Sequence, residues 1–140
     1  MNNRQTPRWQ AALAPDDEAI AALAAEAVAA LPDRFRAEAE QVLFRVVDLA
    51  PDDLLAEMGI RDPYELTGLY EGLPLTHKSP SEPQRQPDAI WLYRLAILFE
   101  WMDRGNVTLG ELVTHITIHE LAHHFGWSDT DIARIDPWWQ

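Results

Sequence analysis

Residues 119–129 read His119-Glu-Leu-Ala-His-His-Phe-Gly-Trp-Ser-Asp129. His119 and His123 stand four apart, so on a helix both imidazoles project from one face, one turn from each other. Two nitrogens so placed can grip one Zn²⁺ at ~2.0–2.1 Å, and Glu120 beside them can take a proton from metal-bound water. Gly126 can break the helix, and Asp129 falls where a returning chain could supply a third ligand. The chain's own composition gives a chance His-Glu-x-x-His at roughly 1%. Gly126 and Asp129 at their fixed offsets lower that to on the order of one in ten thousand. The chemistry implied is metal-assisted hydrolysis. Glu120 would accept a proton as hydroxide attacks a carbonyl and return it to the leaving amine. The zinc would polarise that carbonyl and carry the developing oxyanion.

Other readings of the same residues stand beside this one. Ser128-Asp-Thr-Asp131 is also a strong helix start, so Asp129 could be a cap, with Asp131 the reserve carboxylate. His124 points about 100° from His123 on an ideal helix and cannot share a metal with His119. A backbone carbonyl or the helix end is its expected partner. His115, His119 and His123 span about 12 Å, too far for one ion, so His115 is expected near the site or as a polar core group. His77 is expected in solvent. Tyr70 and Tyr93 are expected to pack in the core with exposed hydroxyls, either of which could donate to an oxyanion. Trp91, Trp127, Trp138 and Trp139 read as core or lid, with Trp127 best placed to line a cleft.

The elements that must position these groups follow from periodicity. Thr108 can cap a helix, Glu111 completes a capping box, and apolar residues at 109, 112, 113 and 116 lead into the motif. That helix is expected from near Leu109 to about Phe125. Pro15-Asp-Asp-Glu18 starts an earlier helix with Ile20, Leu23, Ala24, Ala27 and Leu31 facing the core, ended at Pro32; Phe35 returns to the core. Gln41–Val47 fits a buried strand. Pro51–Met58 fits a short helix stopped at Gly59. Gly68–Thr76 reads as a strand turning at Gly72-Leu-Pro74 into a second, and residues 77–87 as an exposed, proline-rich loop. Asp88–Arg94 alternates Ile90 and Leu92 against Trp91 and Tyr93, a strand with two useful faces. Leu95–Met102 continues as a helix ended by Gly105-Asn106, and Asp131–Ile135 suits a last turn. The expected organisation is a flexible segment over 1–14 and one domain over 15–140. That domain is α+β, a small mixed sheet with helices on one side, the metal helix packed against it.

Composition narrows the partners. A chain of 140 residues makes one domain with a real core. Its net charge of −12, with only 11 basic residues, opposes phosphate backbones and anionic membranes, so neither nucleic acid nor membrane is an expected partner. Cysteine is absent, which leaves histidine and carboxylate as metal ligands. No signal-like or membrane-spanning run occurs, and a cytoplasmic location is expected.

The 119–129 stretch resembles the zincin metallopeptidases. The chain as a whole resembles their minimal, single-domain bacterial zincin-like family. Leu31-Pro-Asp-Arg-Phe35, Gly68-Leu-Tyr-Glu-Gly-Leu-Pro-Leu-Thr76 and Pro87-Asp-Ala-Ile-Trp-Leu-Tyr93 fall in that family's order, ahead of the histidine motif. The resemblance spans roughly residues 18–135. It implies a minimal zincin-like fold, metal binding by His119 and His123, catalysis by Glu120, and ligation by Asp129. An aspartate at that third place is also similar to the snapalysin-type small proteases, where metzincins carry histidine. Met1, Met58 and Met102 all precede the motif, so no Met-turn is expected, and the cleft should be shallow and open on one side. Zincins pair extended substrate with a sheet edge, and Ala89–Tyr93 or the Gly68–Thr76 hairpin could be that edge. A peptide or protein substrate is therefore expected. A non-proteolytic metal-binding or interaction module on the same scaffold is the alternative. A small hydrolase acting on something other than peptide is the third class.

Overall fold

Asp16 accepts a hydrogen bond from the Ala19 N–H at 2.9 Å and starts helix α1 (Asp17–Ala29), which buries Ile20, Ala24, Ala27 and Val28 along one face. The computed structural model describes residues 8–72 and 87–127, together with Thr130 and Arg134. After α1 come helix α2 (Asp33–Ala39), strand β1 (Leu43–Val47) and helix α3 (Asp52–Met58). Gly59 ends α3 in the left-handed region at φ 71°, the stop expected there. A 3₁₀ turn at Pro63–Glu65 leads to β2 (Gly68–Glu71), followed by β3 (Ala89–Tyr93), α4 (Arg94–Arg104) and α5 (Leu109–Phe125). The segment Arg8–Ala11 forms another 3₁₀ turn within the stretch expected to be loose. The second half of the expected Gly68–Thr76 hairpin, the proline-rich loop with His77, and the turn at Asp131–Ile135 lie outside the described residues.

The sheet has the order β1-β3-β2, with β3 parallel to β1 and antiparallel to β2. Of the two strands suggested as an edge, Ala89–Tyr93 is therefore central, and Gly68–Glu71 lies outermost among the described residues. The alternation along β3 explains why. Ile90 and Leu92 join Ile20, Val28, Leu112, Ile116 and Leu121 in the main core, beneath α1 and α5. Tyr93, with the partly buried Trp91, packs on the opposite face against Leu55 of α3 and Ala96 of α4. A strand apolar on both faces requires cover on both, so the expectation of helices on one side only is corrected. The α+β class stands. The segment after Pro32, expected only to return Phe35 to the core, is the additional helix α2.

Helix α5 carries the histidine motif and is the best buried helix. Thr108 Oγ1 accepts from the Glu111 N–H at 3.0 Å and the Glu111 carboxylate accepts from the Thr108 N–H at 3.1 Å, the reciprocal box read from the sequence. Leu112, Val113, Ile116, Ile118, Leu121 and Ala122 are buried along it. The helix thus enters the core on several sides, which fixes its rotation and the direction of every motif side chain. No helix among the described residues is long and apolar enough to cross a membrane.

Candidate metal and active site

The C-terminal half of α5 lies against the outer strand β2, and one glycine makes the approach possible. A Cβ built at Gly68 would stand 2.8 Å from Ile116 Cγ2 and 3.4 Å from Glu120 Cγ. Any larger residue would push strand and helix apart. The parity of β2 sets what it presents there. The Tyr93 N–H donates to the Thr67 carbonyl at 3.0 Å, so alternate residues face β3 while Gly68 and Tyr70 turn their backbone groups outward. The outward Tyr70 N–H donates to Glu120 Oε1 at 2.9 Å. The Glu120 side chain is only 15% exposed, and its Oε1 also lies 3.4 Å from His123 Nδ1, an imidazole left 60% exposed. The hydrogen bond to Glu120 raises His123 above the ordinary 6.5, and the carboxylate's charge adds to the rise, while partial burial opposes it.

His119 lies one turn earlier on α5, its ring against that of His115 at 4.3 Å between centroids. Placing His115 next to the motif agrees with the sequence reading. Beyond His123, Gly126 takes φ 71° and its N–H bonds the His123 carbonyl at 3.2 Å, while the Trp127 N–H bonds the Ala122 carbonyl at 2.9 Å. These two bonds form a Schellman turn, which ends the helix and redirects the chain after the second histidine. Asp129 and Asp131, the two candidates for a third ligand, lie outside the described residues. Among the described residues no three His, Asp or Glu side chains gather as a metal site. The donor chemistry nonetheless fits zinc, which takes imidazole nitrogen and carboxylate oxygen. Two imidazoles at helical spacing share one end of α5, and a carboxylate lies between them in sequence.

His124 differs most from its sequence reading. It is 2% exposed, and its partners are side chains rather than a backbone carbonyl. Its Nδ1 lies 2.5 Å from Asp88 Oδ2 and its Nε2 3.1 Å from Glu38 Oε1. Asp88, itself 3% exposed, also accepts the Tyr70 hydroxyl at 2.8 Å. The Tyr70 hydroxyl, expected to be exposed, is thus committed inward, and burial followed by the Asp88 hydrogen bond and charge raises it well above the ordinary 10.0. Tyr93 is 1% exposed and packs in the second core cluster, which corrects the expected exposed hydroxyl. Burial raises its phenol, and the charges of Glu71 and Glu120 add to that. Trp127 stacks on Phe125 at 4.9 Å and meets Phe35 of α2 edge-on at 4.7 Å, so it anchors the turn in an aromatic cluster.

Asp88 and Glu38 are the residues of this region that the sequence reading did not single out. For Asp88 a signal existed, an acid abutting an apolar strand; for Glu38 none did. A search of curated proteins finds no match. The family model described as zincin-like metallopeptidase matches residues 39–139, which takes in the sheet, α4 and the whole of α5. With that match over most of its length, and with the histidine motif set on a helix beside an outer strand, the chain belongs to the zincin-like metallopeptidases.

Proposed function

We propose that this chain is a zinc-dependent metallopeptidase-like hydrolase acting on peptide or protein, with His119, His123 and Asp129 as the metal-holding residues. When bound, zinc supplies Lewis acidity and makes water a stronger acid. Everything else falls to the chain's own groups. Glu120 acts as general base, taking the proton of the attacking water on its carboxylate and passing it to the leaving nitrogen. The Tyr70 amide keeps that carboxylate from rotating away, so its orientation is set before substrate arrives. Apart from the Tyr70 N–H, which Glu120 takes, the outward backbone groups of Gly68 and Tyr70 suit an extended peptide laid along β2, which brings its carbonyl past the end of α5. The observation that carries this reading is the hydrogen bond between Tyr70 and Glu120. It joins the strand a peptide would line to the side chain that would move the proton, and a site serving structure alone needs no general base.

Two measurements test it together. Zinc-reconstituted, dialysed protein should hold about one zinc per chain, and His119→Ala should lose it. In a peptide-library digest, wild type should give products and Glu120→Gln none, with its zinc retained. A metal-free reconstituted chain would refute the site. Zinc retained with no products from either protein would make the chain a metal-binding module.

A further inference from the structure

We propose that Asp88 is a positioning residue for Glu120, acting through Tyr70; this rests on reading Glu120 as the general base. The two ends of Tyr70 are held by two different carboxylates. Its hydroxyl donates to Asp88 Oδ2 at 2.8 Å, and its backbone N–H donates to Glu120 Oε1 at 2.9 Å. That N–H faces away from β3, while the Leu69 carbonyl of the same planar peptide unit faces it, so the ladder sets the direction of the N–H from one side only. The far end of the side chain supplies a second anchor for the same residue.

Asp88 is suited to the task because it cannot move. A buried carboxylate needs hydrogen-bonding partners, and Asp88 finds the His124 imidazole as well as the tyrosine. The second nitrogen of His124 faces Glu38 on α2. The end of β2 closes over Asp88 so tightly that a Cβ at Gly72 would collide with its carboxylate. The chain of contacts Glu38, His124, Asp88, Tyr70 therefore ties α2, α5, the start of β3 and β2 to one point, and the Tyr70 amide is its outlet toward Glu120. Without the hydroxyl bond the tyrosine would be held by its packing against the core alone, and the strand edge would lose its second anchor beside Glu120.

Amide hydrogen exchange on the full-length, metal-free chain tests this without zinc or substrate, so its outcome is independent of the hydrolase reading. Glu120→Ala first identifies the acceptor and should speed exchange at residue 70. Tyr70→Phe, which removes one oxygen, should speed exchange at residue 70 by about tenfold or more. The Tyr93 amide, which donates to Thr67 across the β2–β3 ladder, should keep its wild-type rate. Asp88→Asn should move residue 70 in the same direction. Should Asp88→Asn fail to fold, Tyr70→Phe decides alone, because the ring and the Asp88–His124 contact both remain. Unchanged exchange at residue 70 in Tyr70→Phe overturns the proposal. So does equal acceleration at Tyr93, since that would mean the whole strand had loosened. In zinc-loaded protein giving peptide products, Tyr70→Phe should lower kcat with KM and zinc content unchanged.

Discussion

Replacing Gly68 by alanine asks whether the close contact of β2 with α5 is what sets the site. The new methyl would sit 2.8 Å from Ile116 Cγ2, well inside van der Waals contact, and 3.4 Å from Glu120 Cγ. Ile116 is buried in the main core and cannot swing aside freely. Overpacking of this kind costs about 1–3 kcal/mol. Against it stands a gain of about 0.4–1 kcal/mol, because alanine restricts the unfolded chain more than glycine does. The steric cost wins, and a net loss of roughly 0.5–2 kcal/mol is expected in urea denaturation. The sign should reverse when the obstacle is removed. In an Ile116→Ala background, itself less stable by about 2–5 kcal/mol, adding Gly68→Ala should be neutral or slightly stabilising. A double-mutant cycle measures this directly. If Gly68→Ala costs the same in both backgrounds, Ile116 is not what excludes a side chain at position 68. The steric account of how β2 approaches α5 would then be wrong.

Thr117 is fully buried in α5, and its hydroxyl has no hydrogen-bond partner among the described residues. Thr117→Val keeps the shape and removes the unpaired oxygen, so the urea midpoint should rise by the equivalent of about 1 kcal/mol; a loss would show that the hydroxyl is bonded after all. The phenols of Tyr70 and Tyr93 are both held above 10.0 in the fold, chiefly by burial. Above about pH 10 the unfolded chain gives up these protons while the folded chain keeps them, so this stability, complete below pH 10, falls as the pH rises further. Urea midpoints taken from about pH 9 to 11 should decline, less steeply in Tyr70→Phe, and identical slopes would contradict the assignment to Tyr70.

What was legible in the chain was local. The capping box at Thr108 and Glu111, the apolar spacing through Ile116 and the helix stop at Gly126 are each written within a few residues, and α5 begins and ends where they say. The double alternation of Ile90 and Leu92 against Trp91 and Tyr93 already implied two covered faces, hence a central strand. Both faces are covered in the fold, which leaves β2, of the two candidate strands, at the edge among the described residues. Helix α2 is not legible locally, because Pro32, a helix stop, is also the residue from which the next helix starts. Seven residues offer too few turns for a period to emerge. Its stability lies instead in distant contacts, Phe35 against Phe125 and Trp127, and Glu38 against His124 across 86 positions. The same limit governs the site itself. Local spacing can place His119, Glu120 and His123 on one end of a helix, but it cannot say what holds Glu120 still. That depends on Gly68 being small enough to admit the helix and on Tyr70 being anchored at both ends, 50 residues away in the chain from the carboxylate it orients. A histidine motif grafted onto another helix would carry the donors without this strand, and its carboxylate would be free to rotate.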